Sequence, residues 1–149
     1  MSQPDIFQRM NLTKEELLGK CNKSSKNTLM ETLGIRYTDV GDGFLEATLE
    51  VTPAVHQPMG ILHGGATAAL AETVGSLASI LNLDGKDKIV KGVELSINHL
   101  KSVKEGLIRA KASIQHKGRT IHLWEIRVYD NSDRLIAISK LSNIVLDKK

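Results

Sequence analysis

From Gly64 to Leu81 the chain reads GGATAALAETVGSLASIL, and Glu72 is its one ionisable side chain. A carboxylate alone in so apolar a stretch is costly unless it is paired, hydrogen-bonded or used. Leu70, Val74, Leu77 and Leu81 recur at helical spacing, which predicts one long helix with those residues as its core stripe. At about 100° per residue, Glu72 falls nearly opposite that stripe, beside Gly65, Ala68, Ser76 and Ser79. A solvated helix face carries several Lys and Glu; this one is built for close approach by another backbone or a ligand.

The same stretch has the length of a membrane span, but its glycines, serines and threonines make it a poor one. The start, MSQPDIFQRMNL, shows no charged segment followed by an apolar run, so no signal peptide is expected. Cys21 is the single cysteine, which precludes an intrachain disulfide and suits a reducing compartment. A cytoplasmic protein with no membrane partner is the expectation. Aromatics make up only 3% of residues, which leaves little for stacking on single-stranded nucleic acid. The net charge of +3 is mildly basic, with groupings at Lys86–Lys91, Lys101–Lys104 and Lys117–Arg119. Each grouping reads as solvated surface or as a contact for phosphates on a small ligand.

The 149 residues contain no repeat or linker, so one domain over 1–149 is expected, with a helical segment over 1–33 packed on it. Thr13-Lys14-Glu15-Glu16 has the form of a capping box and opens a helix through Leu18; a second short helix over Asn27–Leu33 stops at Gly34. The period then changes to two. Ile35–Val40 and Phe44–Val51 read as strands about a Gly41-Asp42-Gly43 turn, and Pro53 and Pro58 bound a loop before the long helix. After Asp84-Gly85 come alternating runs around Val93–Asn98, Ile108–Ile114 and Trp124–Val128, and a last strand over Leu135–Leu146. Short connections imply an antiparallel, meander-like sheet, so the fold class is α+β with the helix packed on the sheet.

Gly64-Gly65 opens the helix, where backbone N–H groups lack intrahelical partners and the dipole is positive. Glycine there lets a carbonyl oxygen approach those donors, the construction of an oxyanion site; it equally serves close helix–strand packing. Glu72 reads as a general base, as a nucleophile, or as the structural partner of an arginine. His56, His63, His99, His116 and His122 show no metal-ligand spacing, so no metal site is expected. The chain also lacks a G-x-S-x-G elbow, a P-loop and a G-x-G-x-x-G turn.

The run HQPMGILHGGATAALAETVGS resembles the active-site segment of hotdog-fold acyl-CoA thioesterases, in the phenylacetate-pathway and dihydroxynaphthoyl-CoA branch that includes hydroxybenzoyl-CoA enzymes. The resemblance extends through LTKEELL…TLMETLGI, the VELSINHLKSVKEG strand pair and the HKGRTIHLWEIRVYD hairpin. It implies an antiparallel sheet wrapped around one central helix. It makes Glu72 the catalytic carboxylate, as nucleophile or as base for water, and the Gly64 N–H the group that polarises the thioester carbonyl. Gln57 and His63 would orient that carbonyl, and Ser76 would assist on the Glu72 face. His99, with Gly65, would line the acyl site, and Lys101, Gly118 and Arg119 would meet the coenzyme A phosphates. No cofactor is implied beyond the coenzyme A of the substrate. The site would form between subunits of a homodimer or a dimer-of-dimers tetramer. An acyl-thioester hydratase or dehydratase on the same scaffold, and a non-catalytic acyl-CoA binding module, are the alternatives.

Overall fold

The protein is described by a computed structural model covering residues 2–149. Three short helices, α1 (Ile6–Met10), α2 (Lys14–Ser24) and α3 (Leu29–Leu33), lead into β1 (Arg36–Gly41) and β2 (Phe44–Val51). The long helix α4 (Gly64–Leu81) follows, then β3 (Lys88–His99), β4 (Gly106–Lys117), β5 (Ile121–Tyr129) and β6 (Leu135–Asp147). Asp5 and Thr13 open α1 and α2 with reciprocal capping boxes. Gly34, at φ 70°, closes α3 in the left-handed conformation that glycine adopts without strain. The helix α1 was not foreseen, and α2 runs on past Leu18 to Ser24.

All strand pairs are antiparallel, in the order β1-β2-β4-β5-β6-β3. The segments β4, β5 and β6 form the expected meander. The expected β3–β4 pair does not form: β3 lies beyond β6, and β4 crosses to β2. Burial explains the exchange. Ile108, Ala110 and Ala112 of β4 are fully buried beneath α4, whereas β3 buries none of its residues and suits only an edge.

The two edges differ. Along β1, the Asn22 side chain of α2 donates to the Tyr37 carbonyl at 3.0 Å and accepts from the Tyr37 N–H at 2.8 Å. Ile6, Leu17 and Cys21 are buried with that helical segment. One edge is thus covered by the chain's own N-terminus, and β3 is left bare.

Helix α4 is seated deeply. A Cβ at Gly75 would lie 2.7 Å from Leu141 Cδ2 and 3.4 Å from Ile126 Cδ1, so the sheet packs directly on helix backbone. Ser79, expected on the small outer face, is fully buried, and Leu77, expected in the core stripe, is only half-buried. The curved sheet wraps the flank of the helix that carries Ser79 as well as the leucine stripe. Its hydroxyl accepts from Trp124 Nε1 at 2.7 Å and Asn143 Nδ2 at 2.8 Å, which leaves its proton for His122 Nδ1 at 3.1 Å. That bond assigns the His122 proton to Nε2.

Burial, with Lys117 nearby, holds His122 below the ordinary value of 6.5. The unfolded chain therefore binds a proton that the folded one refuses, and stability falls as pH drops below 6.5. We expect the urea midpoint of wild type to decline through that range, with a shallower decline in His122→Asn. Gly75→Val should cost about 1–3 kcal/mol in the same assay by forcing Leu141 and Ile126 off the helix.

Candidate active site

The loop between β2 and α4 is pinned by its own backbone. Gln57 N–H donates to the Ile61 carbonyl at 2.8 Å, Leu62 N–H to Val103 at 2.8 Å and His63 N–H to Val55 at 2.8 Å. The His56 ring bonds the Lys104 carbonyl at 2.8 Å, which ties this loop to the β3–β4 connection. The loop thereby delivers His63 in extended conformation as the N-cap of α4.

His63 Nδ1 accepts from the Gly65 N–H at 2.8 Å, so the imidazole proton sits on Nε2. The His63 carbonyl takes the N–H groups of Ala66 and Thr67. Among the described residues the Gly64 N–H has no backbone partner. Gly64 lines a cavity of about 280 Å³ together with Gln57, Thr67, His99, Lys101 and Ile136. A Cβ at Gly64 would lie 2.9 Å from His99 Nε2, so glycine is what lets the β3 histidine close on the helix end. An unpaired N–H at a positive helix terminus, flanked by imidazole and carboxamide groups, is a site for a carbonyl oxygen that becomes negative.

Glu72 does not line that cavity. Eight residues at the rise of an α-helix place it about 12 Å along the axis from Gly64. It is exposed and turned toward β3, where its Oε1 lies over Gly92. The angular reading set it opposite the sheet; the wrapped sheet instead brings strand β3 alongside that flank of α4. Among the described residues no ion pair joins Glu72 to an arginine. Ser76 is half-buried one turn beyond it.

The remaining site residues divide between places. Lys101 and His99 border the first cavity, while Gly118 and Arg119 line a second, of about 290 Å³, with Lys88, Lys117, Asp84 and His122. Lys117 Nζ pairs with Asp84 Oδ1 at 2.9 Å there. A Cβ at Gly118 would lie 2.9 Å from the Ile121 carbonyl oxygen, so the β4–β5 hairpin needs its glycine. Sequence reasoning missed Thr67, Gly92, Asn143 and the capping role of His63. Only Gly92 carried a signal, as an isolated glycine in the strand-forming run KIVKGVELSINH. Among the described residues no helix is long and apolar enough to cross a membrane.

The sequence model of the thioesterase superfamily matches residues 59–137, a span that includes the capping histidine, α4 and strands β3, β4 and β5. The proofreading thioesterase EntH of Cronobacter turicensis is 47% identical over 126 residues, covering 84% of this chain and 90% of that protein. EntH of Klebsiella pneumoniae is 43% identical, covering 89% of this chain and 96% of that one. Among solved structures, a mutant thioesterase from Pseudomonas aeruginosa superposes with a TM-score of 0.85 at 38% identity, over 87% of this chain and 94% of that one. A thioesterase from Haemophilus influenzae superposes with a TM-score of 0.83 at 37% identity, over 91% and 92%. The chain therefore belongs to the thioesterase superfamily, and it is a thioester hydrolase on the hotdog scaffold.

Proposed function

We propose that this thioesterase hydrolyses acyl-CoA, with an aromatic or a short to medium aliphatic acyl group, in a site shared by two copies of the chain. The observation that carries this reading is the separation within one helix. Gly64, whose N–H is free, lines a cavity, and Glu72 stands about 12 Å further along, too far to reach the same thioester. A second copy supplies the missing carboxylate. The bare edge of β3 supports the pairing: none of its residues is fully buried, Val93 is 62% exposed, and the opposite edge is already covered by α2.

In this arrangement the thioester carbonyl oxygen accepts from the Gly64 N–H, with the Gln57 amide and the His63 Nε2–H orienting it. Glu72 of the other copy either attacks the carbonyl carbon or takes a proton from water as the water oxygen adds. When Glu72 is the base, collapse of the tetrahedral species breaks the C–S bond, and the proton taken from water passes to the departing thiolate, giving free acid and coenzyme A. When it is the nucleophile, loss of the thiolate leaves a mixed anhydride with Glu72; water then cleaves the anhydride to release the acid and regenerate the carboxylate, and a proton from that water neutralises the thiolate. Ser76 assists on the Glu72 face, and His99 with Gly65 borders the acyl group. Lys101, Gly118 and Arg119 are the proposed phosphate contacts; the division of these residues between two cavities fits a long substrate better than a compact one. The reaction draws on no cofactor beyond the coenzyme A of its substrate. We place the enzyme in the cytoplasm, as a homo-oligomer without nucleic-acid or membrane partners.

Thiol release from a panel of aromatic and aliphatic acyl-CoA substrates tests the reaction. Glu72→Ala should lose at least about 10²-fold in kcat with its melting temperature unchanged. Undiminished release would remove Glu72 from the mechanism, and tight binding without release would leave only a binding module. Gly64→Ala should lose activity with Glu72 intact, because the added methyl displaces His99 and crowds the N–H. Mixing the two inactive variants during refolding should restore part of the activity, since each mixed dimer holds one intact site. No recovery in demonstrably mixed oligomers would mean that each chain works alone.

A further inference from the structure

Glu72 makes no hydrogen bond to another side chain among the described residues, yet its carboxylate has a defined place. A Cβ built on Gly92 would lie 2.5 Å from Glu72 Oε1 and 3.6 Å from its Cδ. The next nearest atom is Asn143 Oδ1, at 3.7 Å. Gly92 is not among the glycines with positive φ, so its backbone imposes no need for glycine. In the middle of a strand glycine is a poor choice on propensity. Space for the carboxylate is the reason left.

The surroundings fix that space. A bulge between Gly92 and Glu94 makes Val93 the extra residue and re-aims the strand at this point. Across the ladder Gly92 pairs with Asn143, whose side chain is fully buried. Asn143 Nδ2 donates to Ser79 Oγ at 2.8 Å and to the Gly75 carbonyl at 3.3 Å, which anchors the residue to the helix. Its Oδ1 is buried without a hydrogen-bond partner and faces the same spot as the carboxylate. Two acceptors cannot bond to each other, so the carboxamide oxygen does not tether Glu72. The approach of the carboxylate to Gly92 is therefore steric, and its lone pairs stay free for chemistry.

We propose that Gly92 is a positioning residue for Glu72: its bare backbone on the edge strand, beside the anchored Asn143, sets where the carboxylate stands. The proposal rests on Glu72 being the reacting group of the thioesterase. A methyl at position 92 cannot coexist with the observed carboxylate, and the flexible acid yields before the ladder does. Because the strand is an unburied edge with ordinary φ, the same methyl leaves the fold as stable as before or slightly more so.

The test is Gly92→Ala, read by kinetics, melting temperature and crystal structure. The expected result is a kcat about 10²-fold lower, a KM little changed, an unchanged or raised melting temperature and a displaced Glu72 carboxylate. Glu72→Asp, one methylene shorter, should cost less in the Gly92→Ala background than in wild type. An unmoved carboxylate, a kcat equal to wild type, or losses that simply multiply would each overturn the proposal. Glu72-independent release in wild type would instead overturn the functional reading, and the displacement seen in the crystal would still decide whether Gly92 seats the acid.

Discussion

Helix α4 lies against the sheet without a side chain at Gly75, and one hydroxyl, that of Ser79, satisfies three groups of the sheet beneath it. Each contact depends on the other. Close approach brings Trp124, His122 and Asn143 within reach of Ser79, and those bonds keep a polar oxygen in the core from becoming an unpaired burden. Were the helix lifted by the width of one methyl, the hub would open and the indole, imidazole and carboxamide would all lose a partner. The position of every functional group on α4 is set from this seat.

Two consequences follow for the chemistry. The helix N-terminus is held against β3, so that Gly64 meets His99 and lines a cavity with its N–H unpaired. Two turns later the same helix carries Glu72 past the same strand at Gly92. Helix geometry therefore sets the Gly64 N–H and the Glu72 carboxylate about 12 Å apart along the axis, a gap that no side-chain rotation closes. In the arrangement proposed above, two copies related by a two-fold axis each lend Glu72 to the other. The uncovered β3 edge is the surface proposed for that pairing.

Much of this fold was legible in the sequence. Gly64–Leu81 and Phe44–Val51 were read with their observed ends because glycine, proline and the change of period punctuate them. The loop residues Gln57 and His63, the glycine pair and His99 were likewise singled out, and the structure brings them to one end of α4. The strand order was not legible. Both β3 and β4 alternate in pattern, and alternation alone does not distinguish an edge strand from a central one. Nor was the Ser79 hub, since a helical wheel assumes a flat neighbour and this sheet curves around the helix flank.

What the sequence determined by itself was local: where each element begins, which residues cap or break it, and that one acid stands alone in an apolar helix. Those properties depend on backbone preferences and on the spacing of neighbours along the chain. Tertiary structure decided the rest. It alone placed Glu72 over Gly92, and it set His99 against Gly64. It also divided the basic residues between two cavities and left one sheet edge bare while covering the other. The physical reason is distance: these contacts join atoms far apart in sequence, and their geometry arises only when a curved sheet closes on a helix that has room to receive it.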